Sequence, residues 1–332
     1  MKIVSVPTAI RILLRFCLPL LPGLAFQAGA QPGPYPNKAI RVIVPYAVGG
    51  ATDVLARVTT DAMSKSTGQP FVIENRAGGG VVVGSSVVAN APADGYTLLV
   101  TTSAHSINQS LFTKLPYNSD RDFEPVAMLG KVSFVLLVGP KLEVSGLGQF
   151  IERMRRDGKQ YNFGSAGLGS PMHVGPELFK SLTATNATHV PFKGETAALT
   201  ALMGGHVDYM YASAATAAPH IAAGTVKPLA VTSPKRSPLL PAIPTMAELG
   251  YPNAETYSWI VLMAPGGTPR EILDLLNREV GAALSSNEVR NRMATFGFDV
   301  DARLTPAETR NFIRAEAGKW APIVKASGAT AD

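Results

Sequence analysis

The segment Ile40 to Pro45, IRVIVP, is apolar on both faces of a strand. It runs straight into the glycine pair Gly49-Gly50 and then a helix-like stretch, ATDVLARVTTDAM, from Ala51 to Met63. A strand with no polar face has to be covered on both sides, which suits a parallel sheet sandwiched between helices. The unit then recurs. Pro70 to Asn75 (PFVIEN) leads through a glycine loop to a helix-like run near Gly84 to Ala91, and Tyr96 to Thr102 (YTLLVTT) follows. From about residue 140 a second series begins with a helix carrying Phe150, Ile151 and Met154. Strand-like YNFGS, THVPF, VDYMYA and VKPLAVTS come next, separated by helix-like runs. Alternation of this kind predicts an α/β fold.

Two apolar stretches connect the series, Ala127 to Val138 on the way out and Ser258 to Pro265 on the way back. Two crossings predict two α/β lobes joined by a two-strand hinge, with a central cleft where the C-terminal strand ends point. The expected division is residues 31–134 and 260–332 in lobe 1 and 135–259 in lobe 2. A chain of 332 residues is long enough for two such units. The Pro-rich stretch Ser233 to Met246 is the longest irregular segment, and three helices close the chain. Two of these announce their starts: Thr268-Pro269-Arg270-Glu271 and Thr305-Pro306-Ala307-Glu308 each predict a capping box with Pro at the first helical position.

The first thirty residues (1–30) differ in kind. Lys2, Arg11 and Arg15 lead an apolar run from Phe16 to Phe26, and Ala28-Gly29-Ala30 supplies small residues at a cleavage site. That pattern predicts a secretory signal cut after Ala30, a mature chain beginning at Gln31 and export to the periplasm. The only cysteine, Cys17, falls inside the leader, so the mature chain has no disulfide framework. Losing the leader removes three positive charges and no negative one, leaving +3 of the net +6. So mild a balance, without basic residues interleaved with aromatics, argues against nucleic acid. The densest basic run, Arg153 to Lys159, reads as a solvated helix end.

Four loops are expected to face the cleft. The first is YAVGGATD, where a glycine pair before a helix leaves backbone N–H groups open to an anion. The second is TTSAHSIN, Thr101 to Asn108, offering Thr102, Ser103 and His105. The third is GSAGLGSPMH, with Ser165, Gly169, Ser170 and His173, where Ser170 before Pro171 marks a helix start. The fourth, VPFKG, brings Lys193, and the strand VDYMYAS adds Asp208 and Tyr211. The first and third loops come from different lobes and each aims a helix N-terminus at the cleft, an arrangement suited to a small dianion. Ser170 and Asp53 are open to helix capping as well as ligand contact, His173 to a core role, and Lys193 to solvation. No G-x-S-x-G, H-E-x-x-H or paired carboxylates mark a catalytic site, and the five histidines lack metal-ligand spacing.

These residues carry a resemblance. YPNKAIRVIVPYAVGGATD, ENRAGGGVVVG, ADGYTLL, KLPYNSDRDFEPVA, NFGSAGLGSPMH, THVPFKG, GGHVDYMYA, LLPAIPTMAELG and APGGTP occur in order over nearly all of the mature chain. The sequence resembles the periplasmic receptors of tripartite tricarboxylate transporters, the Bug or TctC-like proteins. The resemblance implies a two-lobed Venus-flytrap fold of the type II periplasmic binding class, a small carboxylate ligand and delivery to membrane transporter subunits. It implies a ligand drawn from di- and tricarboxylates, acidic amino acids or aromatic acids, a monomer and no cofactor. It also implies that the first glycine loop holds a ligand carboxylate, which carries over to Tyr46, Ala47, Val48, Gly49, Gly50 and Asp53. Val48 stands where the family usually has Pro, and three glycines followed by three valines make the next loop less regular. A periplasmic sensor feeding a signalling system and a secreted α/β enzyme are the alternatives, and the missing nucleophile and metal signatures count against the enzyme.

Overall fold

The longest strand ties the molecule together. β4 (Phe123–Val138) is 16 residues long and changes partners halfway. Up to Ser133 it lies antiparallel to β9 (Tyr257–Pro265); from Phe134 it lies between β7 (Tyr209–Ser213) and β8 (Lys227–Val231). The computed structural model describes residues 35–156, 158–300 and 304–331. The predicted leader, its cleavage site and Cys17 lie outside the described residues.

On one side of the exchange, β2 (Phe71–Asn75), β1 (Ile40–Val44) and β3 (Thr97–Thr102) are parallel, and β3 pairs antiparallel with β9. On the other, β7, β5 (Asn162–Ser165) and β6 (Thr188–Pro191) are parallel. The order β2-β1-β3-β9-β4-β7-β5-β6 therefore contains two parallel triplets separated by the antiparallel pair β9 and β4, with the two-residue β10 (Phe298–Asp299) on β4. The return crossing precedes β9, where the Thr256 N–H donates to Thr232 O and the Thr232 N–H to Phe134 O.

Helices cover both faces, as continuous apolar strands require. They are α1 (Ala51–Thr67), α2 (Val82–Ala89), α3 (Ala104–Leu111), α4 (Leu147–Arg156), α5 (Pro171–Thr183), α6 (Glu195–Met203), α7 (Ala214–Ala222), α8 (Arg270–Ser285), α9 (Asn287–Thr295) and α10 (Pro306–Ser327). The second half of β4 illustrates the packing. Leu136 and Val138 join the cluster of Phe150, Tyr161 and Phe179, whereas Val135 and Leu137 face Leu199 and Leu202 of α6 on the other side. Each fully buried Leu or Val contributes about 1.5–3 kcal/mol by leaving water.

Two sequence expectations need correction. Thr101 to Asn108 is not a loop: α3 starts at Ala104, and its Ile107 and Leu111 pack with Val174 and Leu178 of α5 and Trp320 and Val324 of α10. The capping box at Thr305 forms with Glu308, but the one at Thr268 does not. The Thr268 hydroxyl donates to Pro265 O instead, and α8 begins after Pro269 with no side-chain cap.

Candidate functional site

A cavity of about 730 Å³ opens where the C-terminal ends of the parallel strands of both halves meet. The β1–α1 loop supplies Pro45, Tyr46, Ala47, Gly49 and Gly50, and the start of α1 adds Ala51 and Thr52. From the other half come Ala166 to Ser170 and the first residues of α5. The β4 exchange point contributes Val132 and Phe134, and β9 contributes Ser258 and Ile260.

The two helix starts are open. Gly50 is the N-cap of α1 and has no side chain to satisfy the first N–H groups. Ser170 has N-cap geometry on α5 but makes no capping bond, because its hydroxyl donates to Gly167 O. The first N–H groups of a helix have no partner within it, so the start of α1 presents donors and positive partial charge to the cavity; at α5, where Pro171 has no N–H and the His173 N–H bonds Ser170 O, the Met172 N–H and the partial charge remain.

Each loop is held from behind. The Asp53 carboxylate accepts from Gly49 N, Arg57 Nε and Asn75 Nδ2, and Asn75 also donates to Tyr46 O. Burial raises the Asp53 carboxyl, but the bonds from Arg57, Gly49 and Asn75 outweigh it and hold the group below its ordinary range. The Tyr46 hydroxyl bonds the Thr102 hydroxyl at the end of β3. In the third loop the Gly169 N–H donates to His173 Nδ1 at 3.2 Å, and Ser165 Oγ bonds His189 Nε2 at 2.6 Å and the Gly167 backbone. The rings of His173 and His189 stack with centroids 3.8 Å apart. Desolvation pushes both imidazoles well below their usual range, with His189 and Lys180 adding to the effect on His173 and Lys180 to that on His189. Gly169 has φ +72 and lies so close to Leu111 that a Cβ would displace that side chain, so this turn of the loop favours glycine.

Of the sequence candidates, Tyr46, Ala47, Gly49, Gly50, Thr102, Gly169 and Ser170 line the cavity. The others do not. Asp53, Ser165 and His173 lie beneath the loops they position. Val48 is 70% exposed and stands off the cavity wall. Ser103 is buried, with its N–H on Trp259 O and its hydroxyl on Ser258 Oγ. His105 is a core residue: Nε2 donates to Ser119 O, and the ring packs edge-on to Phe123. Lys193 is exposed and off the wall. Asp208 precedes β7 at the opposite strand end, accepting from Lys159 Nζ and Asn162 N beside a separate small hollow. A strand residue faces the cleft only from its C-terminal end, which Ser213 occupies and Asp208 does not.

Several wall residues escaped sequence reasoning. Gly78, Gly79, Gly80 and Val81 follow β2 and line the cavity, with Asn108 Nδ2 donating to Gly80 O at 2.6 Å. Val81 has φ +75, a strained state for a β-branched residue. Three consecutive glycines after a strand were the available signal. Glu195, Thr196, Ser213 and Thr216 also line the cavity. Burial raises the Glu195 carboxyl, opposed by hydrogen bonds from Ser213 and Thr216. Leu168 and Phe296 are partly exposed apolar residues of the same wall.

Among the described residues, no group of acidic, histidine or cysteine side chains could hold a metal ion, and no helix is long and apolar enough to cross a membrane. Residues 55–329 match the model of a family described as tripartite tricarboxylate transporter family receptor. The protein BugT of Bordetella pertussis (strain Tohama I) is 39% identical over 297 residues, which cover 89% of this chain and 91% of BugT. The solved structure of MatC from Rhodopseudomonas palustris with bound malate is 35% identical, with a TM-score of 0.76 over 87% of this chain and all of MatC. That of Rpa4515 from R. palustris with adipate is also 35% identical, with a TM-score of 0.79 over 89% of this chain and 99% of that one. With a two-lobed binding-protein architecture, a family match over most of its length and relatives aligned nearly end to end, the chain belongs to the tripartite tricarboxylate transporter receptors, the Bug or TctC-like periplasmic solute-binding proteins.

Proposed function

We propose that the protein captures a small organic carboxylate in the cavity and delivers it to a tripartite-type membrane transporter. One observation carries the ligand class. Two helix starts without side-chain caps, from the two halves of the molecule, converge on one cavity whose wall among the described residues holds no Lys, Arg or His. Backbone N–H groups and helix partial charges are then what an anion meets there. The ligand class is supported further by the relatives MatC and Rpa4515, whose structures hold malate and adipate, and delivery to a transporter rests on family membership. The lobe division proposed is 31–134 with 260–332 against 135–259. It is supported by the partner exchange after Ser133 and, within a few residues, by the start of β9 at Tyr257. Secretion with cleavage after Ala30 belongs to the same reading.

A thermal-shift screen of di- and tricarboxylates, acidic amino acids and aromatic acids tests the ligand class. A ligand at a hundred times its dissociation constant adds about 2.7 kcal/mol, a shift of several degrees. Silence across the whole set, confirmed by calorimetry, would overturn the carboxylate reading. Transport is tested separately, by uptake of the identified acid in cells with and without the gene for this chain.

A further inference from the structure

Glu195 is the only carboxyl group on the cavity wall among the described residues, and no ammonium, guanidinium or imidazole group accompanies it there. It is the first residue of α6, and its Oε1 accepts the N–H of Ser213. Ser213 is the N-cap of α7, and its hydroxyl accepts from Thr216 N. The Glu195 carboxylate and the Ser213 hydroxyl therefore both serve the start of α7, whereas α6 begins at Gly194 with no side-chain capping bond. The starts of α1 and α5 also make no side-chain capping bond, and the first-turn carboxylate of α1, Asp53, lies off the wall and accepts from Gly49 N. The cavity is thus polarised, with open N–H donors where α1 begins and at Met172 of α5, and one wall carboxylate, Glu195, beside the start of α7.

That polarity bears on ligand choice. A carboxylate placed at α1 or α5 meets donors, whereas one extending to Glu195 meets a like charge with no side-chain cation on the wall to offset it. An ammonium or N–H at the same place meets a hydrogen-bond acceptor instead. We infer that Glu195 is the specificity-determining residue of the cavity and selects carboxylates that also carry an ammonium or N–H donor over plain di- and tricarboxylates. The inference rests on the carboxylate reading above. It sets this chain apart from MatC and Rpa4515, whose structures hold the amine-free diacids malate and adipate.

The test uses two matched ligand pairs on the full mature chain, glutamate against glutarate and 6-aminohexanoate against adipate, by calorimetry. The second pair exchanges a carboxylate for an ammonium at nearly constant length. In the wild type the amine-bearing member of at least one pair is expected to bind about tenfold tighter or more, the weight of one charge-assisted hydrogen bond. Glu195→Gln keeps an acceptor for the Ser213 N–H. It is expected to narrow that ratio by about tenfold, with the amine-bearing acid losing affinity and the amine-free acid gaining it. Tighter binding of the amine-free member in both pairs, or a ratio unmoved by Glu195→Gln, overturns the inference and leaves the carboxylate reading standing. Binding of none of these acids, nor of any other carboxylate in the screen, overturns both.

Discussion

Gly49 and Gly50 are neighbours in the first cleft loop and serve different needs. Gly49 has φ +82 and donates its N–H to Asp53, so the turn depends on its left-handed backbone. Gly50 has φ −70 and extended geometry, open to any residue, and it lines the cavity as the N-cap of α1. Gly49→Ala is expected to cost about 1–2 kcal/mol of stability from backbone strain. Gly50→Val is expected to leave urea stability nearly intact while obstructing the approach to α1, weakening carboxylate binding about tenfold or more. Equal affinity in wild type and Gly50→Val removes the anion role of this loop. A second residue-scale prediction concerns His105, fully buried with Nδ1 lacking a partner. Burial lowers its pKa from 6.5 to about 4, against the bond to Ser119 O. The unfolded chain then takes up the proton first, so the stability His105 contributes is fully present above pH 6.5 and is lost as pH falls towards 4. The loss from this residue is ~3 kcal/mol across that window, and His173 and His189 act in the same direction. Denaturant titrations from pH 7 to 4 should show a shallower decline in His105→Gln than in wild type; parallel curves rule this out.

Among the elements, α10 is fixed to the sheet by a buried carboxylate. Glu316 Oε2 accepts from the indoles of Trp259 in β9 and Trp320 in α10, at 3.0 and 3.1 Å. Both indoles are buried, so Glu316→Ala leaves two N–H groups without an acceptor. Each such orphan costs about 1–3 kcal/mol, and a total loss near 3 kcal/mol or more is expected, with Glu316→Gln losing clearly less because an amide oxygen still accepts. Equal urea midpoints for the two variants would contradict that account. Glu316 had no sequence signature, since its partners lie 57 and 4 residues away and only folding brings all three together. The same reason separates what could be read from what could not across the fold. β1, β3, β4 and β9 were legible because they are apolar on both faces, and the loops ending in Gly49, Gly50 and Ser170 because glycine and Ser-Pro punctuate a strand-to-helix turn. α3 was not, because THVPF-like apolar density is absent from it and its inward face is Ile107 and Leu111 amid Ser, His and Asn. Ser165 and His173 were placed in the right loop but on its wrong side, because loop composition does not say which face the backbone turns to the cavity. Glu195 and Ser213 meet through the pairing of β5 with both β6 and β7, which no local pattern encodes.

At the scale of the whole molecule, the halves are joined among the described residues by β4, by the backbone leading into β9, by an apolar cluster in which α5 packs on α3 and α10, and by contacts such as Gly297 against Leu239 and Ala215. The cluster shares Ile107 and Leu111, Val174 and Leu178, and Trp320 and Val324, so α5 rests on the helices of the other half. An opening that keeps these contacts is a rotation about that packed region, not a separation of the lobes. At the front, Leu168 and Phe296 are 38% and 40% exposed although both belong to the cavity wall. A ligand touching the loops of both halves binds the closed arrangement more tightly, and closure would draw these two side chains out of water. Saturation with a tight carboxylate should therefore lower the radius of gyration in small-angle scattering. In hydrogen exchange it should slow the amides of the Gly49 and Gly167 loops, whereas those of Thr232 and Thr256, already bonded across the hinge, stay as protected as before. Phe296→Ser, which removes apolar surface at the mouth while leaving the helix starts untouched, should weaken binding without altering the ranking of ligands. A scattering profile unchanged at saturation, with the loop amides exchanging as fast as in the free protein, would mean that the cavity works as a preformed slot and that the two-strand crossing serves architecture alone.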